Sequence, residues 1–434
     1  MGKKIALNSN TEYIEWLVAI AVSYATTFTV TEGFMGIFYP TLRVILGLLR
    51  NVVILLLLFY QIQHYGLAIR KRGLLFFLFY SLFIFLYITV FPYYKLENLV
   101  KAPSSYFNFF YRSFQVLFYI LCIQTIIRHF SVTKYILTSL ITATIPTVFF
   151  MWFVGYETIQ FYGLDKDGDY ISLLAIGYAN AYLIPLSVLF YKKMYSKKLI
   201  SMIFALIVFL TASTLVLLAG ERGPILWAMV NIFICLFLIS KNSRRYVVAA
   251  VFFVILLFAN IDYVIETVST FSPRAAEKIE MTIKEGDTNG RFDLDNEQSS
   301  TYLIGLNQFI SSPFYGSYFR LITKDYFRGH YPHNIFIEIL MTMGLLGFIP
   351  FLYLLSVVWK KVRKTMNGSY TDNQLAFVSI FLSEFLLLMT SSTVLFDTAF
   401  WCFFVLLCNI DMNVKVKSKD GRLKPLVMIK NNKI

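Results

Sequence analysis

Three arginines stand inside apolar runs of this chain, Arg43 and Arg50 in one and Arg112 in another, and a fourth, Arg222, sits in the tight turn Gly220-Glu221-Arg222-Gly223. A guanidinium in hydrocarbon is costly unless it is paired or wetted, so ionisable groups in such positions are candidates for function. The planar guanidinium fork takes phosphate oxygens two at a time, and a cluster at lipid-headgroup depth suits an anionic, lipid-linked diphosphate. The competing reading is snorkelling, or structural pairing with Glu32, Glu384 or Asp397. A second chemistry is offered by His333-Asn334, where a long apolar run begins. At a helix start the dipole disfavours imidazolium and leaves the neutral ring that a general base requires. The competing reading there is a boundary histidine bonded to a loop carbonyl. His330 lies three residues away as an alternative. His64 and His129 fall at helix ends on the other side and read as structural.

Positioning these groups requires a membrane. Of the 434 residues 58% are hydrophobic and only 15% charged, outside the balance of a soluble domain. About 20 apolar residues make one span, and such runs recur from end to end. The pattern predicts an all-α polytopic membrane protein with twelve helices, near 13–30, 41–60, 73–91, 107–127, 135–155, 171–191, 199–219, 223–239, 246–262, 334–358, 375–391 and 396–410. The four cysteines, Cys122, Cys235, Cys402 and Cys408, lie inside apolar runs and suggest neither disulfides nor a metal site.

Every second connection is basic, from Arg70-Lys71-Arg72 to Lys360-Lys361 with Arg363-Lys364, and the positive-inside rule puts these in the cytoplasm together with both termini. Together with the ends they hold 25 of the 39 Lys and Arg, so the net charge of +14 is mostly a topology signal and asks for no nucleic acid. The layout is nine helices over 1–262, a large outer loop over 263–333, three helices over 334–410 and a basic cytoplasmic tail over 411–434 expected against anionic lipid. Arg43 and Arg112 then lie near the outer boundary, and Arg50 shares a helix face with Arg43 about 10 Å deeper. The loop is acidic in its first half and basic in its second, where Arg320 and Arg328 stand. Ser272-Pro273 and Gly286 bracket one expected loop helix, and Glu297 to Ser311 a second, ending before Pro313.

Four landmarks follow in order: Gly220-Glu221-Arg222-Gly223, Asn289-Gly290-Arg291, Pro313-Phe314-Tyr315-Gly316, and His333-Asn334 with Gly344-Leu345-Leu346-Gly347. In this the chain, over roughly residues 200–350, resembles the O-antigen polymerase and O-antigen ligase superfamily. Glu221 departs from a small polar residue, Tyr318 stands where a second glycine is common, and no tryptophan follows Arg291. The resemblance implies a membrane-embedded glycosyltransferase of the GT-C-like architecture, without metal or cofactor, that moves glycan from undecaprenyl diphosphate to a sugar hydroxyl. It implies that Arg222 and Arg291 hold the diphosphate and that His333 acts on the acceptor. Arg43, Arg50, Arg112, Arg320, Arg328, His330 and Asn334 are the expected substrate-binding residues.

The expected reaction joins undecaprenyl-diphosphate-linked repeat units into O-antigen, capsule or exopolysaccharide at the outer face of the inner (cytoplasmic) membrane, as part of lipopolysaccharide or related polysaccharide biosynthesis. Expected partners are the lipid-linked oligosaccharide, membrane lipid, and a chain-length regulator and flippase of the same pathway. Two alternatives stay open: a ligase that passes the glycan to a lipid A core, and a flippase or transporter of the lipid-linked unit.

Overall fold

A computed structural model of the chain describes residues 2–26, 40–65, 71–90, 106–142, 199–219, 259–271, 301–316, 332–366, 372–390 and 397–410. It also describes parts of 177–188, 224–232, 248–256 and 273–280, residue 394, and 415–417 with 423–425. The fold is helical, with α1 Gly2–Thr26, α2 Pro40–Tyr65, α3 Lys71–Val90, α4 Tyr106–Ile126, α5 over 132–142 and α6 Leu199–Ala219. Then come α7 Ile261–Phe271, α8 Thr301–Ser311, α9 Ile335–Met366, α10 Asp372–Thr390 and α11 Thr398–Asn409. Among the described residues the exception to the all-α expectation is in the tail, where β1 Lys415–Lys417 pairs antiparallel with β2 Leu423–Pro425. Alternating Lys-Val-Lys suits a strand better than it suits a helix face.

Among the described residues one helix, α9, is long and apolar enough to cross a membrane, and shorter apolar stretches lie in α2, α4, α6, α10 and α11. The polarity of several helices is inverted relative to that of a soluble protein. On α2, Ile45, Leu48, Leu49, Val52, Leu55, Leu56 and Phe59 form an outward stripe at helical spacing, while Arg50 on the opposite side is only 8% exposed. On α3 the outward stripe is Leu75, Leu78, Phe79, Leu82 and Leu86.

The chain divides into two compact units, Met1–Tyr60 with Ile126–Gly286 and Lys364–Ser379, and Gln61–Thr125 with Asp287–Arg363 and Ile380–Ile434. In the first, α1 meets α5 through small and polar side chains that let backbones approach. Ser23 and Ser139 hydroxyls are 3.2 Å apart, and those of Thr26 and Tyr135 are 3.0 Å apart. Lys134 Nζ lies 3.1 Å from Glu15 Oε2 and donates to the Glu12 carbonyl at 2.9 Å. Asn373 Nδ2 donates to the Phe130 carbonyl at 2.9 Å.

In the second unit, Trp401 is wholly buried and packs edge-on against Phe77 at 5.1 Å and beside Tyr80 at 5.5 Å. Its indole N–H donates to the Val394 carbonyl at 2.7 Å. At the other end of α11, Asn409 Nδ2 donates to the Arg72 carbonyl at 2.7 Å, and Lys361 Nζ donates to the Leu407 carbonyl. Within each unit, then, contacts join segments that the charge pattern assigns to one membrane face: Glu12 and Glu15 with Lys134 in the first, and Arg72 with Asn409 and Lys361 with Leu407 in the second.

Sequence-based boundaries for α6 coincide with the structure, and those of α2, α4, α10 and α11 shift by a few residues at the ends. The ninth expected helix differs more: its last turn does not end at 262, since the chain is helical again from Ile261 through Phe271. The acidic Asp262 in the first turn suits a helix N-terminus, and that is the physical reason. Trp401→Ala should remove the centre of the aromatic cluster and lower stability by about 3–5 kcal/mol. Thermal unfolding of the purified protein in detergent checks this, with a clear drop in midpoint as the expected outcome.

Candidate functional site

His333 and Asn334 are the described candidates that the fold builds into a defined local structure. Asn334 is the N-cap of α9: its Oδ1 accepts from Phe336 N–H at 3.0 Å and Ile337 N–H at 3.3 Å, and its carbonyl accepts from Glu338 N–H at 2.8 Å. An asparagine cap satisfies donors that a helix start otherwise leaves open. His333 is the residue just before the cap, half-exposed, with φ +51°. Positive φ is uncommon outside glycine, although histidine is among the residues enriched there, and such backbone clusters at binding and catalytic sites.

The helix that His333 leads into is broken at Gly344, whose φ of +59° and ψ of −155° no helix accommodates. Into the break fits the turn Pro313-Phe314-Tyr315-Gly316. Leu345 N–H donates to the Pro313 carbonyl at 2.8 Å and Leu346 N–H donates to the Phe314 carbonyl at 3.0 Å. The second half of α9 thus begins with donors that the loop satisfies.

Both glycines are required by closeness. A Cβ on Gly344 would meet the Phe314 carbonyl carbon at 2.5 Å, and one on Gly316, where φ is +71°, would meet the Thr342 carbonyl carbon at 2.5 Å. Gly316 N–H donates to Ser312 O at 2.9 Å, and Ser312 Oγ returns a bond to Gly316 O at 2.8 Å. Upstream, α8 lies against the first half of α9, with Gly305 close to Ile337, Pro332 and Met341. Two of the four sequence landmarks, separated along the chain, therefore form one interlocked piece headed by His333.

Sequence reasoning did not single out Glu338 or Gly305. Glu338 is buried on the first turn of α9, and its Oε2 accepts from Val394 N–H at 3.2 Å, tying the turn before α11 to the His333 end of α9. Its one visible signal is a lone carboxylate at the start of an apolar run. Asp397 Oδ1 accepts from Phe400 N–H at 2.8 Å and caps α11.

Among the arginines, Arg50 is buried on α2. Arg43 lies on α2 and Arg112 on α4, with their side chains outside the described residues. Arg222, Arg291, Arg320, Arg328 and His330 lie outside the described residues.

Comparison of the chain with models of known protein families finds no match, and comparison with curated proteins finds none either.

Gly344→Ala should destabilise the protein by at least about 2 kcal/mol, through both left-handed strain and overlap with the Phe314 carbonyl. Gly47→Ala on α2, where a Cβ meets nothing within 4 Å, should be neutral or slightly stabilising. Midpoints of thermal unfolding for the two variants, measured side by side, test the contrast.

Proposed function

We propose that this chain is a multi-spanning membrane glycosyltransferase of the O-antigen polymerase type, with its large loop on the outer face of the cytoplasmic membrane. The observation that carries this reading is the interlocked piece of α8, the Pro313–Gly316 turn and the Gly344 break, headed by His333 in a left-handed backbone. Two of the four landmarks behind the family resemblance, Pro313-Phe314-Tyr315-Gly316 and His333-Asn334 with Gly344, lie in this local structure. The inverted polarity of α2 and α3 supports the membrane reading, because apolar stripes face outward and Arg50 faces inward.

In the proposed reaction an acceptor sugar hydroxyl attacks the anomeric carbon of a lipid-linked donor. The new glycosidic C–O bond forms as the C–O bond to the diphosphate breaks, the hydroxyl proton passes to the His333 imidazole, and undecaprenyl diphosphate leaves. A positioned base contributes roughly 10²- to 10⁴-fold to such a step. Arg222 and Arg291 hold the diphosphate and stabilise its growing charge, since donors already aimed at a developing anion act without reorganisation. Arg43, Arg50, Arg112, Arg320, Arg328 and His330 are the further residues proposed to bind the substrate.

Asn334 acts mainly as the helix cap through Oδ1. Asn334→Ser keeps a capping oxygen, so it should retain most activity, whereas loss in this variant as deep as in Asn334→Ala would assign the amide to substrate instead.

The decisive assay incubates purified protein with undecaprenyl-diphosphate-linked repeat unit, with and without lipid A core, and resolves the glycans on a gel. A ladder without core is expected. Product only with core makes the enzyme a ligase, and transport of the unit across vesicles without a new glycosidic bond makes it a flippase. His333→Ala should lose at least about 100-fold in elongation rate at unchanged membrane abundance. Arg222→Ala and Arg291→Ala should lose activity too, and lysine at either position should restore only part, because the fork geometry is gone.

A further inference from the structure

We infer that α8 and the Pro313–Gly316 turn form a re-entrant element inserted among the acyl chains of the outer leaflet, not a part of the loop exposed to water. This rests on the reading above that α9 crosses the bilayer.

The first argument is length. The inner end of the α9 span is marked by Trp359, half of whose surface is exposed, followed at once by Lys360 and Lys361. Tryptophan and lysine in that order mark a membrane boundary. The fifteen residues from Leu345 to Trp359 cover about 22 Å at 1.5 Å per residue. The hydrocarbon core is about 30 Å thick, so the Gly344 break lies about 8 Å inside the outer hydrocarbon boundary. The turn bonded to Leu345 and Leu346 lies at the same depth.

The second argument is hydrogen bonding. Irregular backbone survives at that depth only when its polar groups find partners in the protein. Ser312 N–H donates to Phe309 O at 3.0 Å, and the carbonyls of Ser312, Pro313, Phe314 and Gly316 each accept a bond from within this piece. Pro313 has no N–H to satisfy. Ser311 is exposed, and its Oγ donates back to the Gln308 carbonyl at 2.7 Å, so this hydroxyl has its partner within α8.

The third argument is the outward surface. Ile310 is 68% exposed and Phe314 71%, and this apolar surface continues along α9 through Leu346 and Ile349. The lipid-facing side of a span and the outward side of the turn thus adjoin through the Phe314–Leu346 backbone bond. Acyl chains are the occupant that covers both.

The test is depth measurement by electron paramagnetic resonance on full-length protein in phosphatidylglycerol–phosphatidylethanolamine vesicles. Spin labels go on Ile310→Cys, Phe314→Cys and Ile349→Cys, one at a time, in protein carrying Cys235→Ala; Cys122, Cys402 and Cys408 are buried and stay. All three labelled sites lie on the surface, so the substitutions leave the packing intact. Labels at 310 and 314 should relax more with oxygen than with a water-soluble nickel chelate, and 349 should lie about 6 Å deeper than 314. If 349 reports lipid while 310 and 314 report water, the re-entrant assignment is wrong and the spanning α9 stands. If 310 and 314 are shielded from both reagents, protein covers them and the assignment is again wrong. If all three report water, α9 does not span and the membrane reading falls with it.

Discussion

A helix that starts anew inside an apolar stretch exposes backbone N–H groups that nothing in its own sequence can satisfy, and the local structure that leads from α8 to His333 and α9 follows from how that need is met. Leu345 and Leu346 would begin the second half of α9 with open donors, and the carbonyls of Pro313 and Phe314 close them. Bonds of that length require two backbones in contact, which is why glycine occupies both sides of the junction, Gly316 and Gly344. With the junction closed, α8, the turn and the first half of α9 become one body. His333 and its cap Asn334 stand at the start of α9 in that body. Glu338 extends the same logic by giving its carboxylate to Val394, whose carbonyl in turn takes the indole of Trp401.

The distribution of polarity follows from a different constraint. In α2 a full stripe of large aliphatic side chains faces outward while the arginine turns in, an arrangement that costs hydrophobic free energy in water and costs none in acyl chains. Where apolar burial does not drive helices together, close approach and polar contacts must. Ala19, Ala21 and Ser23 on α1 are fully buried, with the Ser23–Ser139 and Thr26–Tyr135 hydroxyl pairs at the contact with α5. Lys134, Glu12 and Glu15 gather at one end of that pair, where the tail of a charged side chain still reaches water.

Legibility in the sequence was uneven for physical reasons. Helices such as α6 can be read to the residue because an apolar run bounded by Lys197-Lys198 and Gly220 carries its own start and stop. The N-capping Asn334 sits where the sequence puts the start of the tenth helix, since cap chemistry is local. The break in α9 is less visible: Gly344-Leu345-Leu346-Gly347 reads as a tolerated pair of glycines within an apolar run, and only the distant Pro313 explains it. The extension of α7 past 262 and the pairing of β1 with β2 were likewise hidden, one by mixed polarity and the other by its shortness.

Composition and spacing carried the helical class, the order of the described apolar helices, the charge asymmetry between alternate connections, and a set of candidate phosphate-binding and proton-accepting residues. These are local or compositional quantities, set by side-chain type and spacing. The tertiary structure alone decided that the Pro313–Gly316 turn closes the break at Gly344, that Arg50 faces inward, and that Glu338 holds the turn before α11. Each of these depends on a backbone group or side chain finding its partner far along the chain, and no local pattern records which partner that is.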